Sequence, residues 1–490
     1  MFRLLLKIIL FPFRILKIFL KVWILVAIVF GLVFLLKPLP EGFSFEGEYR
    51  MVNPEDIRFF ADRTYTDEAG NRVVEQEIFD EVFHMIAEAK EYILVDMFLY
   101  NQYQGWQKED TRGLAYELTS SLVAKKTSNP EIEIAVITDP INSIYGAIPS
   151  PQLLTLKDAG IVVVETNLHA LPDSNPLYSG FYRSGLRFIP DSLLSNALPN
   201  PFSPEAPNVS LSAYTRLLNF KANHRKVVIA DDGRGGSAVL VTSANPHDGS
   251  SAHSNVAVRV NNVLTNDVMQ SERAVARISN VEIPEYSEVV STTNVGPQVR
   301  LVTEEVIDDS LVAEIKSLKE GDTFDMVMFY FSKGSVISAL KDASERGVKI
   351  RLLLDPNKDA FGREKNGVPN RPVAHILTKH DSDITVRWCD TNGEQCHSKM
   401  ILIEKNNKSY LSLGSANITR RNIGGFNLET NIEIVGDSDV GVFQSASEYF
   451  DDAWNNTGGT YSTEYATYAD DSLWKRVQYY VMEYIGTSSF

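Results

Sequence analysis

The chain is predicted to be an α/β protein of two related halves, standing behind a membrane-spanning N-terminal helix. Three observations carry this prediction. An uncharged apolar run lies near the N-terminus, strands alternate with helices over most of the remaining chain, and the second half repeats the first in order.

The first 40 residues contain Arg3, Lys7, Arg14, Lys17, Lys21 and Lys37 and no acidic residue. Val22 to Leu36 is uncharged and apolar, and Ile18 to Leu20 extend it to a bilayer's width if Lys21 snorkels. The basic residues fall near one face of a helix, a stripe suited to an anionic inner leaflet. Lys37-Pro38-Leu39-Pro40 follows the run where a cleavable signal would carry small residues, so an uncleaved anchor is expected. Five basic residues before the span and one after it place the N-terminus in the cytoplasm and the body outside. Setting aside those six leaves 41 basic against 63 acidic residues, a net −22. That balance weighs against a nucleic-acid binder, which normally presents a basic surface, although a local basic cleft is compatible with it.

The first half opens with a helix over 77–90, whose Ile78, Val82, Ile86 and Ala89 form a core-facing stripe. Strands are expected at 91–100, 132–138 and 161–165, and again at 323–330, 348–354 and 384–388. The second strand of each set ends in Asp-Pro, at Asp139-Pro140 and Asp355-Pro356. Alternation of this kind implies helices on both faces of a largely buried sheet. The halves differ by an insertion of about 50 residues, 166–219, rich in Pro, Ser, Asn and aromatics. Its Leu177, Tyr178, Phe181, Tyr182, Phe188 and Phe202 suit either a cover over the active-site mouth and lipid or a surface excursion packed on its own domain. A last helix is expected from Leu473, Trp474, Val477, Val481 and Tyr484, capped by Ser472 and stopped at Gly486, with its stripe latched to the core or, alternatively, in contact with a membrane interface. The organisation is therefore 1–40 basic segment and anchor, 41–290 first half, 291–458 second half and 459–490 helical tail.

Two motifs carry the chemistry. His224-Arg225-Lys226 is followed by four residues and Asp231, and His397-Ser398-Lys399 by four residues and Glu404. Each leads to a small-residue turn ending in asparagine, Thr242-Ser243-Ala244-Asn245 and Gly414-Ser415-Ala416-Asn417. The histidines are 173 positions apart and the asparagines 172, so the elements repeat together. The pattern resembles the phospholipase D superfamily, whose signature is HxK, four residues, Asp and a GSxN-like turn, present twice. Two positions depart from it: Glu404 stands for the second Asp, and Thr242 for the first Gly of its turn.

The resemblance implies two pseudo-twofold-related α/β/α repeats sharing one active site, complete within a single chain. It implies phosphodiester cleavage through a covalent phosphohistidine, with one imidazole as nucleophile and the other as acid. It suggests His224 as nucleophile and His397 as acid, an assignment that spacing alone leaves open. Lys226 and Lys399 are expected beside the histidines on one strand face, with Asn245 and Asn417 donating to the same phosphate oxygens. Glu429, in Asn427-Leu428-Glu429, is expected to orient His397. The corresponding His253-Ser254-Asn255 has no carboxylate, which leaves the orienter of His224 unassigned. Asp231 and Glu404 are expected to brace the motif strands.

No metal or other cofactor is expected, since no Cys and His set has ligand spacing. Cys389 and Cys396 are expected to close a small Asn-Gly-centred loop as a disulfide if the body is extracytoplasmic; the alternative is two unpaired thiols. His84, His169, His247, His375 and His380 are expected to be surface or structural. The function expected is hydrolysis of a membrane phospholipid headgroup by water, or transfer of the phosphatidyl group to an alcohol. The alternative is an extracytoplasmic nuclease or other phosphodiesterase.

Overall fold

A computed structural model describes residues 2–106, 111–286 and 293–488; the expected junction at 290/291 and the side chains of Arg3 and Lys7 lie outside the described residues. Helix α1 spans Phe2–Leu35, and within it Phe13–Leu35 is long and apolar enough to cross a membrane.

The first half contains β1 (Ile57–Asp67), α2 (Ile78–Glu88), β2 (Tyr92–Met97), α3 (Leu114–Ser128), β3 (Glu133–Thr138) and β4 (Val162–Glu165). The insertion helix α4 (Pro176–Ser184) comes next, then β5 (Lys226–Asp231), β6 (Ser237–Thr242) and β7 (Asn255–Asn261). The second half supplies β8 (Gln298–Thr303), β9 (Thr323–Met328), β10 (Lys349–Leu354), β11 (Ile384–Cys389), β12 (Lys399–Lys405), β13 (Lys408–Gly414) and β14 (Thr430–Asp437). The first sheet runs β1-β7-β6-β5-β2-β3-β4 and the second β8-β14-β13-β12-β9-β10-β11, the same order seven strands later. In both, three parallel strands joined by helical crossovers meet an antiparallel meander, and the histidine motif opens the first meander strand.

The stripe Ile78, Val82, Ile86 and Ala89 is buried against Ile93, Val95, Val136 and Leu118 on the outer face of the first sheet. On the inner side, Val239, Val241 and Val258 share one core with Leu402, Leu411 and Ile432 of the other sheet. Each such side chain contributes about 1.5–3 kcal/mol by leaving water, so this shared core fixes how the halves face each other. The halves also trade edges. Gly47 N donates to Leu301 O (2.8 Å) and Arg50–Met51 pairs with β8, whereas Gly459–Thr460 pairs with β1. Residues 47–51, counted with the first half, thus cover an edge of the second sheet, because an open edge strand is a liability.

The C-terminal helix α5 (Leu473–Ile485) has the expected cap, Ser472 Oγ accepting from Lys475 N, and stops at Gly486 (φ 75°). Its packing is a correction. Leu473 and Trp474 are 69% and 74% exposed, and Val477, Val481 and Tyr484 also face outward. The latch is the opposite edge, where Tyr479 Oη donates to Ser332 O (2.8 Å) and Glu483 accepts from Ser332 Oγ and Arg420 N, both at 2.8 Å. Polar ties hold this edge, so the apolar period points away from it.

Candidate active site

The two histidine motifs meet where the sheets join, and they are held by crossed backbone bonds. His224 N donates to Leu428 O, and His397 N donates to Ser254 O, both at 2.9 Å. One residue beyond each acceptor lies the side chain that orients the opposite half's imidazole. Glu429 is completely buried, with Oε1 and Oε2 2.9 and 3.0 Å from His224 Nδ1. Asn255 Oδ1 accepts from His397 Nδ1 at 3.0 Å, and its own orientation is set by Nδ2 donating to His253 O (2.9 Å). The expectation for Glu429 is therefore corrected: it serves His224, and a neutral amide serves His397. Orientation is exchanged across the pseudo-twofold axis, which reasoning within each half does not reveal.

The residues just before the histidines are braced by the Asp-Pro strand ends. Asp139 Oδ2 accepts from Asn223 N (2.8 Å) and Asp355 Oδ2 from Cys396 N (2.9 Å). Burial pushes these carboxyls up to about 7 and about 6. The repeated Asp-Pro was the signal for this pair. Phe98 and Phe329 form a second symmetric pair, their ring centroids 4.8 Å from His224 and 5.0 Å from His397. Lys226 and Lys399 lie 5.2 and 5.1 Å from the centroids of the same two rings.

Among the described residues, His224, His397, Asn245 and Asn417 line one cavity of about 240 Å³. Asn245 Oδ1 accepts from Leu99 N (3.1 Å) and Asn417 Oδ1 from Tyr330 N (3.3 Å), which turns each NH2 the other way for donation. Thr242 replaces glycine at no cost, since its hydroxyl donates to Val256 O (2.9 Å) and accepts from Ala244 N (3.0 Å). Gly414 has no such freedom, because a Cβ there would sit 2.2 Å from Thr430 O.

Lys226 and Lys399 are 0% and 1% exposed and do not line the cavity; each donates to the carbonyl of its own histidine, at 2.7 and 2.6 Å. In this arrangement they stand behind the imidazoles. Asp231 accepts from Lys90 N, Glu91 N and Tyr92 N at 2.8–3.0 Å, tying the end of its strand to the start of β2. Glu404 is held in its strand by backbone pairing with Thr323 and Ser409, while its side chain is exposed. The matching turn is closed by Asp322, which accepts from Lys319 N (2.8 Å). Cys389 and Cys396 are joined as a disulfide with Cα atoms 6.2 Å apart. His253 stands beside His397 (centroids 5.8 Å apart), buried with its Nε2 unpartnered, a neighbour that its place in the sequence did not announce.

The electrostatics follow from burial among cations. Burial pushes the His224 imidazole down to about 4, with Lys226 adding to the effect and Glu429 opposing it. Burial and then Lys399 hold His397 well below the ordinary histidine value. Burial also brings Lys226 down to about 7. Burial works against ionising Glu429, but His224, Lys226 and the bond from Asn422 overcome it and hold its carboxyl below the usual range. At neutral pH, His224 is then a neutral imidazole donating Nδ1–H to an anion, with the Nε2 lone pair free for the cavity. Lys221, Lys365 and Arg421 also line that cavity, and no carboxylate does, in a protein of formal charge −16. No group of His, Cys, Asp and Glu among the described residues has the arrangement of a metal site.

Residues 311–454 match the family model described as "Cardiolipin synthase, PLD-like domain". No curated protein matches the chain. Among solved structures, phosphatidylserine synthase of Haemophilus influenzae Rd KW20 is 10% identical with a TM-score of 0.52, covering 91% of this chain and 98% of that one. Polyphosphate kinase from Porphyromonas gingivalis is 14% identical (TM-score 0.42; 77% of this chain, 44% of that one). Nuc, a phospholipase D family member from Salmonella typhimurium, is 20% identical (TM-score 0.27; 34% of this chain, 99% of that one). The first shares the fold over nearly its whole length, and the family match falls on the half that carries His397, Lys399 and Asn417. Residues 311–454 thus match a phospholipase D-like domain, and the two sheets of one strand order with paired histidine motifs at their junction resemble the phospholipase D superfamily in arrangement.

Proposed function

We propose that the protein is a membrane-anchored phosphodiesterase or phosphatidyltransferase that works on phospholipid headgroups through a covalent phosphohistidine. The observation that carries this reading is the cavity with no carboxylate among its described lining residues, lined instead by two histidines, four asparagines and three cationic side chains inside an acidic protein. Its remaining walls include Ile141, Leu217, Phe220 and Phe361, apolar surface suited to the glycerol end of a lipid.

In this mechanism His224 Nε2 attacks phosphorus, and the P–O bond to the headgroup breaks as the P–N bond forms. Glu429 offsets the positive charge that the imidazole acquires. His397 gives its proton to the leaving alkoxide. It is neutral in the empty site, and the phosphodiester's own negative charge draws in that proton when substrate binds. In the second step His397 takes a proton from water or an alcohol, whose oxygen displaces His224. Lys226 and Lys399 supply positive field from behind the imidazoles, while Asn245 and Asn417 donate to the non-bridging oxygens.

The Asn255–His397 bond gives a test of the roles. In Asn255→Asp a carboxylate would lie about 3 Å from His397 Nδ1 and favour the imidazolium. An acid with a raised pKa keeps its proton to higher pH, so the alkaline limb of the kcat profile is expected to move up by about one pH unit or more. Movement of the acidic limb instead would make His397 the base or nucleophile of the first step. The variant loses the Asn255 Nδ2 bond to His253 O, about 1 kcal/mol, so its Tm is measured alongside.

The topology proposed is an N-terminus in the cytoplasm and a catalytic body outside, where the Cys389–Cys396 disulfide is kept. Reduction of this eight-residue loop is expected to cost about 2–3 kcal/mol and to loosen the His397 motif before the His224 motif. Hydrogen exchange with and without reductant checks this, and equal loosening of both motifs would contradict it. The substrate class is tested by assaying the full-length protein on phospholipid vesicles and on oligonucleotides side by side. Turnover of lipid alone is expected, and turnover of oligonucleotide alone would establish the nuclease reading.

A further inference from the structure

A second cavity, of about 320 Å³, adjoins the catalytic one, and Tyr145 and Lys221 line both. Its cations are Arg183, Arg216 and Lys221, and Asp173 is the one carboxylate among its lining residues. Arg183 (7% exposed) donates through Nε and Nη2 to Asp173 at 2.6 and 3.0 Å. Lys221 (7% exposed) bonds the same carboxylate and donates to Leu171 O at 2.6 Å. Two buried cations thus share a single buried anion. Arg216 donates to Tyr145 O (2.7 Å) and pairs with Asp191, whose side chain is 67% exposed. An exposed pair of that kind holds weakly and exchanges readily for another anion.

The position of this cavity along the membrane normal follows from α1. Asp173 N donates to Phe34 O (2.9 Å), the Arg183 guanidinium lies 3.6 Å from the Phe34 ring centroid, and Lys37 Nζ donates to Ala170 O. Phe34 and Lys37 flank the end of the apolar span at Leu35, the depth at which headgroups begin. From there α4 descends beside α1. A Cβ on Gly180 would lie 2.1 Å from Ala27 O, a Cβ on Gly31 would lie 2.4 Å from Pro176 O, and Trp23 Nε1 donates to Ser184 Oγ (3.0 Å). Leu177 and Phe188, 63% and 68% exposed, are carried on this descending part, while Arg183 reaches back up to Asp173. The insertion therefore meets the span directly, and Arg183 reaches the level of Phe34 and Lys37 at the end of the span.

We propose that this second cavity binds the phosphate of an anionic membrane phospholipid beside the phosphate that is cleaved, with Arg216 and Lys221 as its principal donors. The inference rests on the membrane-phospholipid reading of the catalytic site and adds a second lipid to it. The charge balance of the cavity is consistent with it: burial first, and then Lys221 and Arg183, hold His169 below its ordinary value, and burial brings Lys221 down to about 8 against the pull of Asp173. A bound phosphate supplies negative charge beside these cations in addition to that of Asp173.

The test uses the full-length His224→Ala protein in nanodiscs, so that binding is read without turnover. Native mass spectrometry counts the lipids retained from phosphatidylglycerol and from phosphatidylcholine discs, with inorganic phosphate as a separate competitor. Retention of a second phosphatidylglycerol, beyond the one held in the catalytic cavity, is expected to fall about tenfold or more when Arg216→Gln is added, and to be largely kept by Arg216→Lys. Inorganic phosphate is expected to displace little of it. Equal retention in Arg216→Gln, or equal retention of phosphatidylcholine, would overturn the proposal. Full displacement by inorganic phosphate would assign the cavity to a free anion and overturn the lipid as its occupant. Arg216-dependent retention in a protein whose active form turns over no lipid would leave this site standing and remove the proposed function.

Discussion

Alanine at either His224 or His397 is expected to lower turnover by about 10⁴-fold or more while the protein stays folded. The two imidazoles line one cavity and, in the proposed mechanism, act on one phosphate, so neither half would retain a working site. The double variant is expected to be little worse than either single one, because the groups act as a unit. Folding survives because few bonds are lost. In His224→Ala, Glu429 keeps its bonds from Ser415 Oγ and Asn422 Nδ2, and in His397→Ala, Asn255 keeps Ser243 and His253. Circular dichroism and Tm check the fold, and a vesicle assay checks turnover. Activity within tenfold of the parent in either variant would contradict the shared site.

Glu429→Gln is expected to lower kcat by about a hundredfold or more and to change KM far less. The carboxylate is wholly buried against His224 Nδ1 and is the group that opposes the downward push on that imidazole. Glutamine removes the offset for the charge that develops on attack, and its amide NH2 favours the wrong tautomer when it faces Nδ1. The His224 pKa is expected to fall further in this variant. The effect belongs in kcat because Glu429 does not line the cavity. A drop of only a few-fold in kcat would show that Glu429 is structural and that backbone bonds suffice to hold His224.

Much of the architecture was legible because it repeats. Tyr92–Met97 and Thr323–Met328 are β-branched and apolar enough to be buried on both faces, and the Asp-Pro ends mark the same place in each half. The histidines, asparagines and Asp231 stood out as a motif written twice. Other features lie in tertiary structure and leave no such mark. Glu429 serves the opposite half's histidine because the backbone bridges cross between sheets. Asn255 escaped notice because an orienter was sought as a carboxylate, whereas an amide oxygen accepts the same bond. Glu404 shares the charge of Asp231, but Asp322 already closes the turn it would brace. The insertion's contact with the anchor rests on Gly31, Ala27 and Gly180, small residues that become informative only once the helices are side by side.

The central claim is a covalent phosphohistidine on His224 formed from a phospholipid. Rapid acid-free quenching of the full-length protein with phospholipid, followed by peptide mass spectrometry, tests it directly. The account predicts a single phosphatidyl adduct on the peptide carrying His224, present in His397→Ala when an activated headgroup needs no acid, and absent in His224→Ala. An adduct on His397, or turnover of lipid with no adduct on either histidine, would contradict it.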